Sequence, residues 1–134
     1  MKPLIITNNP LVYDKFSAEE EVLFDAGASQ LDILMKARDR IHLGARLVIH
    51  PMMGRIKPHE TPYKSVFMEV PEERELQNGG ATSDFMSIQI IEDSIHETQK
   101  FLDNTFMLKY SDDLLPDLQF IDYILIKNGM EEYR

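Results

Sequence analysis

At 134 residues, with 43% hydrophobic and 28% charged side chains, the chain has the size and composition of one ordinary globular domain. It contains no cysteine, which excludes disulfides, thiolate nucleophiles and zinc–thiolate sites. A net charge of −9 argues against general nucleic-acid binding, because an acidic body repels phosphate backbones.

The opening apolar run Leu4-Ile5-Ile6 is too short for a signal peptide. No stretch approaches the ~20 apolar residues of a membrane span, so neither a membrane nor a nucleic-acid partner is expected and the location should be cytoplasmic.

Residues 4–7 read as a short buried strand, closed by Asn8 and Asn9. Asn9 before Pro10 is a good helix start, with asparagine as the cap and proline in the first turn. A short helix over 11–16 follows, then a second strand through Val22, Leu23 and Phe24 that Gly27 interrupts. Ser29 is placed to cap a helix to about residue 43, with Asp32 three positions on as in a capping box. Leu31, Leu34, Met35, Ala37 and Ile41 supply its apolar stripe, and Gly44 ends it.

Leu47-Val48-Ile49 predicts a third strand, stopped by His50-Pro51. Three prolines and Gly54 keep residues 51–62 out of helix or central strand. Residues 63–70 alternate and predict a fourth strand. Residues 71–82, with Asn78-Gly79-Gly80, read as a loop.

Ser83 or Asp84 then caps a long helical stretch. Ile88, Ile91, Ile95, Thr98, Leu102 and Thr105 follow the 3-4 spacing of a seam packed on another helix. Drawn over 84–109 it would be about 39 Å long, whereas a domain of this size is about 36 Å across. It therefore either breaks near Asp103-Asn104-Thr105 or overhangs toward a partner. The overhang predicts a homodimer. A last helix is expected over 114–127, stopped by Asn128-Gly129. The predicted architecture is a single α/β domain over 1–134: a mostly parallel four-stranded sheet flanked by helices, with a helical C-terminal half.

Charge is unevenly spread. Residues 84–134 hold four Lys/Arg against eleven Asp/Glu, whereas residues 50–64 hold Arg55, Lys57 and Lys64 against Glu60 alone. A basic island on an acidic protein can focus a small anion. In a parallel sheet the ends of the first three strands share one edge, where ligands of open α/β sheets bind. Two helix N-termini should face that edge as well. We therefore expect an anion site in the 50–64 loop. Arg55 and Lys57 would hold the anion, His50 and Tyr63 would bond the ligand body, Asn8 and Asn9 would form the floor, and His59 is counted among the ligand-binding residues. His50 and His59 titrate near neutrality and could act as acid or base. A metal site at His50, His59 and Glu60 is not expected, because the spacing matches no ligand pattern and the flanking cations oppose a dication. No cofactor motif occurs: there is no G-x-G-x-x-G, P-loop, G-x-S-x-G or H-E-x-x-H.

The opening from Leu4 through Asn8-Asn9-Pro10-Leu11-Val12 resembles the GrdX-like proteins. So does the run from Ala37-Arg38-Asp39-Arg40-Ile41-His42, through His50-Pro51, to Lys57-Pro58-His59-Glu60-Thr61-Pro62-Tyr63-Lys64-Ser65. Those small proteins are encoded beside the glycine, sarcosine and betaine reductase genes of amino-acid-fermenting anaerobes. The resemblance implies a non-catalytic accessory or regulatory role and possible contact with reductase components. The absence of cysteine agrees, since the chain has no thiol to join such chemistry. Two other classes stay open: a small enzyme acting on an anionic metabolite with His50 or His59 as general acid/base, and a purely structural dimer.

Overall fold

The computed structural model describes residues 1–54, 56–77, 83–104 and 110–133. Among these lie four strands, β1 (Lys2–Thr7), β2 (Val22–Phe24), β3 (Arg46–Leu47) and β4 (Ser65–Val70). Five α-helices accompany them: α1 (Pro10–Phe16), α2 (Gln30–His42), α3 (Glu73–Gln77), α4 (Phe85–Asp103) and α5 (Leu115–Tyr133). Among the described residues no helix is long and apolar enough to cross a membrane.

The strands form one sheet in the order β2-β1-β4-β3. It is mixed, not mostly parallel. β1 pairs β2 in parallel, but β4 lies antiparallel to β1 from Lys2↔Val70 to Thr7↔Ser65, and antiparallel to β3 as well. No α-helix joins β3 to β4, so the chain turns at the sheet edge and comes back beside β1 instead of crossing over. Alternation of apolar residues reports a strand but not its direction. The three earlier strands still point the same way, so their C-terminal ends meet at one edge. The antiparallel insertion adds the start of β4 to that edge, which puts Lys64 and Ser65 beside Thr7 and Asn8.

Both faces of the sheet are covered, which is why β1 reads as an unbroken apolar run. Leu4, Ile6, Val66 and Met68 pack with Ile33, Leu34, Ala37 and Ile41 of α2 and Ile91 of α4. On the opposite face Ile5 and Phe67 pack with Val12 of α1 and with Ile126 and Met130 of α5. The capping expectations hold. Asn9 Oδ1 accepts from Leu11 N–H, Ser29 and Asp32 form a full capping box, and Gly44 takes a positive φ of 104° after α2.

Among the described residues of the α4 seam, Ile91 and Thr98 are buried and Ile88, Ile95 and Leu102 are partly buried. The buried Ser87, Ile91, Ser94 and Thr98 lie on the side that packs against α2, and the helix stops at an Asn104 cap. Of the two outcomes for that helix, the structure shows the end near Asp103-Asn104. Thr105 and Lys109 lie outside the described residues, as do Asn78, Gly79 and Gly80 of the expected loop, of which 73–77 is the helix α3.

Asn128-Gly129 does not stop the last helix, which continues to Tyr133. Gly129 serves contact rather than termination: a Cβ there would stand 2.0 Å from Ile49 Cδ1 and 2.7 Å from Cγ1. Alanine in a helix interior normally gains about 1 kcal/mol over glycine. Here Gly129→Ala should lower stability by about 1–3 kcal/mol through overpacking. Ile49→Ala should reverse the sign of the Gly129→Ala effect, a coupling that urea unfolding of the two single variants and the double variant measures.

Candidate functional site

Three segments meet at the shared edge: the end of β1, the 50–64 loop running into β4, and the first turns of α5. Asn8 ties them together. Its Nδ2 donates to Ala28 O and Pro62 O at 2.9 Å each, and its Oδ1 accepts from Lys64 N–H at 2.9 Å. Asn9 is equally committed. Beyond its capping bond, its Nδ2 donates to Gln119 O and to Asp122 Oδ2, both at 2.9 Å. A hydroxyl chain runs beside it. Asn9 N–H donates to Thr7 Oγ1 at 2.9 Å, the Thr7 and Ser65 hydroxyls bond at 2.6 Å, and Ser65 donates to Asp122 Oδ2 at 2.6 Å.

Gln30 fixes the loop from the other side through Pro58 O and Thr61 O. A 3-10 turn over Pro58–Glu60 is closed by Lys57 N–H donating to Glu60 Oε1 at 2.9 Å. Lys64 reaches back across the loop, its Nζ donating to Pro51 O at 2.7 Å.

Over this network lies a small cavity of about 50 Å³. Lys64, Asp122, Ser65, Thr61, Tyr63 and His50 supply its polar lining. Ile49, Met53, Ile56, Leu125 and Ile126 are among its apolar walls. The usual small-molecule pocket is roughly 300–1,000 Å³, so this space is small for a ligand site.

The electrostatics are unusual for an acidic surface protein. Burial lowers the Lys64 ammonium from its ordinary value, and the nearby Asp122 charge only partly opposes this. Burial raises the Asp122 carboxyl, against hydrogen bonds from Ser65 and Asn9 and the Lys64 charge. Opposed shifts of an acid and a base at one cavity are a recurrent mark of functional sites.

The expected residues distribute as follows. His50 and Tyr63 line the cavity; His50 Nδ1 accepts from Met52 N–H at 3.1 Å, and Tyr63 Oη accepts from Gln119 Nε2 at 2.8 Å. Asn8 and Asn9 lie beneath it, with their amide groups spent on the scaffold. Lys57 and His59 lie against Phe101 of α4 instead. The Lys57 Nζ stands 5.3 Å from the ring centroid, and the His59 ring stacks at 5.9 Å. Arg55 lies outside the described residues. The helix N-termini are taken by their own caps: Asn9 serves α1, and the Asp32 carboxylate sits at the start of α2, accepting from Ser29 N–H. Among the described residues no three His, Asp or Glu side chains gather as metal ligands.

Sequence reasoning missed Asp122, Ser65 and Gln119. A signal for Asp122 was present. Leu118, Asp122 and Ile126 are spaced i, i+4, i+8, so a carboxylate interrupts the buried stripe of α5 between two core positions.

A family model described as GrdX-like protein matches residues 4–131, extending the likeness from the first half to nearly the whole chain. No curated protein and no solved structure matches.

The raised Asp122 predicts a signed pH effect. Between the ordinary carboxylate value and the raised one, the folded chain keeps a proton that the unfolded chain has released. Its contribution to stability therefore falls as pH rises through that window. Urea midpoints measured against pH should show this slope in the wild type and lose it in Asp122→Asn.

Proposed function

Because the chain belongs to the GrdX-like protein family, we propose that it is a non-catalytic accessory or regulatory protein of a glycine-reductase-type system, binding a small anionic ligand beside the 50–64 loop. The observation that carries this reading is the Lys64 ammonium. It lines the cavity with a single hydrogen bond, to Pro51 O, and so offers two further N–H groups among the described residues. In this reading Lys64, and not Lys57, which lies against Phe101, holds the anion, and His50 and Tyr63 line the ligand body. A cavity of about 50 Å³ favours a carboxylate such as formate or acetate over any nucleotide.

The test is a thermal-shift series with formate, acetate and phosphate at constant ionic strength. A ligand at 100 times its Kd adds about 2.7 kcal/mol, which raises the midpoint by several degrees at roughly 2–8 °C per kcal/mol. Lys64→Met should abolish the increment whatever it does to the unliganded midpoint, and Lys57→Ala should leave it intact. Increments that survive Lys64→Met place the anion elsewhere.

A further inference from the structure

We propose that the cavity is built for a small zwitterion, with the ligand's carboxylate on Lys64 and its ammonium on Asp122. This rests on the small-ligand reading of the same cavity and adds the second charge.

Two opposite charges line one small cavity, yet they do not pair with each other. Lys64 Nζ bonds Pro51 O, whereas the side-chain hydrogen bonds to Asp122 fall on Oδ2, from Ser65 Oγ and Asn9 Nδ2, and the Ser65 backbone N–H also bonds its carboxylate. Neither group is saturated. Among the described residues two N–H bonds of Lys64 have no hydrogen-bond partner, and no side chain donates to the Oδ1 atom of Asp122.

Half-buried charges that neither pair with each other nor saturate their hydrogen bonds lose part of their hydration without full return. Here they are held apart by committed neighbours. Asn9 and Ser65 keep the Asp122 carboxylate on α5, and the Pro51 carbonyl keeps the Lys64 ammonium on the loop side. A guest with an acceptor at one end and a donor at the other completes both groups at once, which a simple anion or cation cannot do. A simple anion would also meet the Asp122 charge, and a simple cation the Lys64 charge.

The size of the guest follows from the walls. With about 50 Å³ bounded by Ile49, Ile56, Leu125 and Ile126, there is room for a very short carbon skeleton and no apolar side chain of any length. The ligand class is therefore the smallest amino acids.

Titration calorimetry on the full chain, with glycine, acetate and methylammonium at one ionic strength, tests this. Glycine should bind at least tenfold more tightly than acetate or methylammonium. Asp122→Asn should bring glycine down to the level of acetate, and Lys64→Met should abolish binding of both. Should the variants fold poorly, the wild type alone decides through a length series. Affinity should fall from glycine to β-alanine to γ-aminobutyrate as the skeleton outgrows the cavity. Acetate binding as tightly as glycine, or affinity independent of length, overturns the zwitterion while leaving the small-anion reading intact. No binding by any of these probes overturns both.

Discussion

The edge of the sheet depends on one carboxylate. Asp122 sits on the buried side of α5, where an apolar residue would pack without penalty, and it accepts hydrogen bonds from Ser65 at the start of β4 and Asn9 at the end of β1. A single oxygen thereby joins the last helix to two neighbouring strands. The same Asn9 donates to Gln119 O one turn earlier on α5 and caps α1. The result fixes α5 in azimuth as well as in depth, because a rotated helix would lose both bonds and leave a carboxylate in an apolar layer. The Ser65 hydroxyl and backbone N–H, the Asn9 amide and the Lys64 charge offset part of the desolvation of Asp122.

The mixed topology makes that meeting possible. In an all-parallel sheet the start of β4 would lie at the far end, about six residues away from Thr7, and neither Ser65 nor Lys64 could reach the ends of β1 and β2. By returning antiparallel, β4 brings Ser65 opposite Thr7, close enough for their hydroxyls to bond at 2.6 Å. Asn8 then reads out the register. It accepts from Lys64 N–H and donates to Pro62 O, so a slip of one residue along β4 would unmake both bonds and turn Ser65 to the wrong face.

Much of the fold is legible in the sequence, because the signals are local. Asn9-Pro10, the Ser29/Asp32 pair and Gly44 mark helix ends through chemistry contained within a few residues, and each acts as expected. What the sequence conceals is set by contacts between distant segments. The direction of β4 depends on which edge the 48–64 connection turns back on. The continuation of α5 through Asn128-Gly129 depends on Ile49, some eighty residues earlier, needing the space that a side chain at 129 would fill. The site divides the same way. The 50–64 loop is recognisable as a stiff basic segment, and its Tyr63 and His50 do line the cavity. Its formal charge does not tell where each cation lies, however. Lys57 rests on an aromatic ring, whereas Lys64, at the end of the loop, lines the cavity.

Two glycines set how small that cavity is. Gly54, at a φ of 109°, lets the loop double back against α5, where a Cβ would stand 2.9 Å from Leu125 Cδ1. Gly129 lets α5 close on Ile49 one turn beyond Leu125. Leu125 and Ile49 are both walls of the cavity, so the absence of two side chains draws its opposite sides together. Bulk at either glycine would push α5 outward. It would widen the space between Lys64 and Asp122 and admit more water around charges that are perturbed because water is scarce there. The size of the site and its electrostatics are in this way one property. Close backbone approach excludes solvent, and exclusion of solvent shifts the acid and the base toward each other.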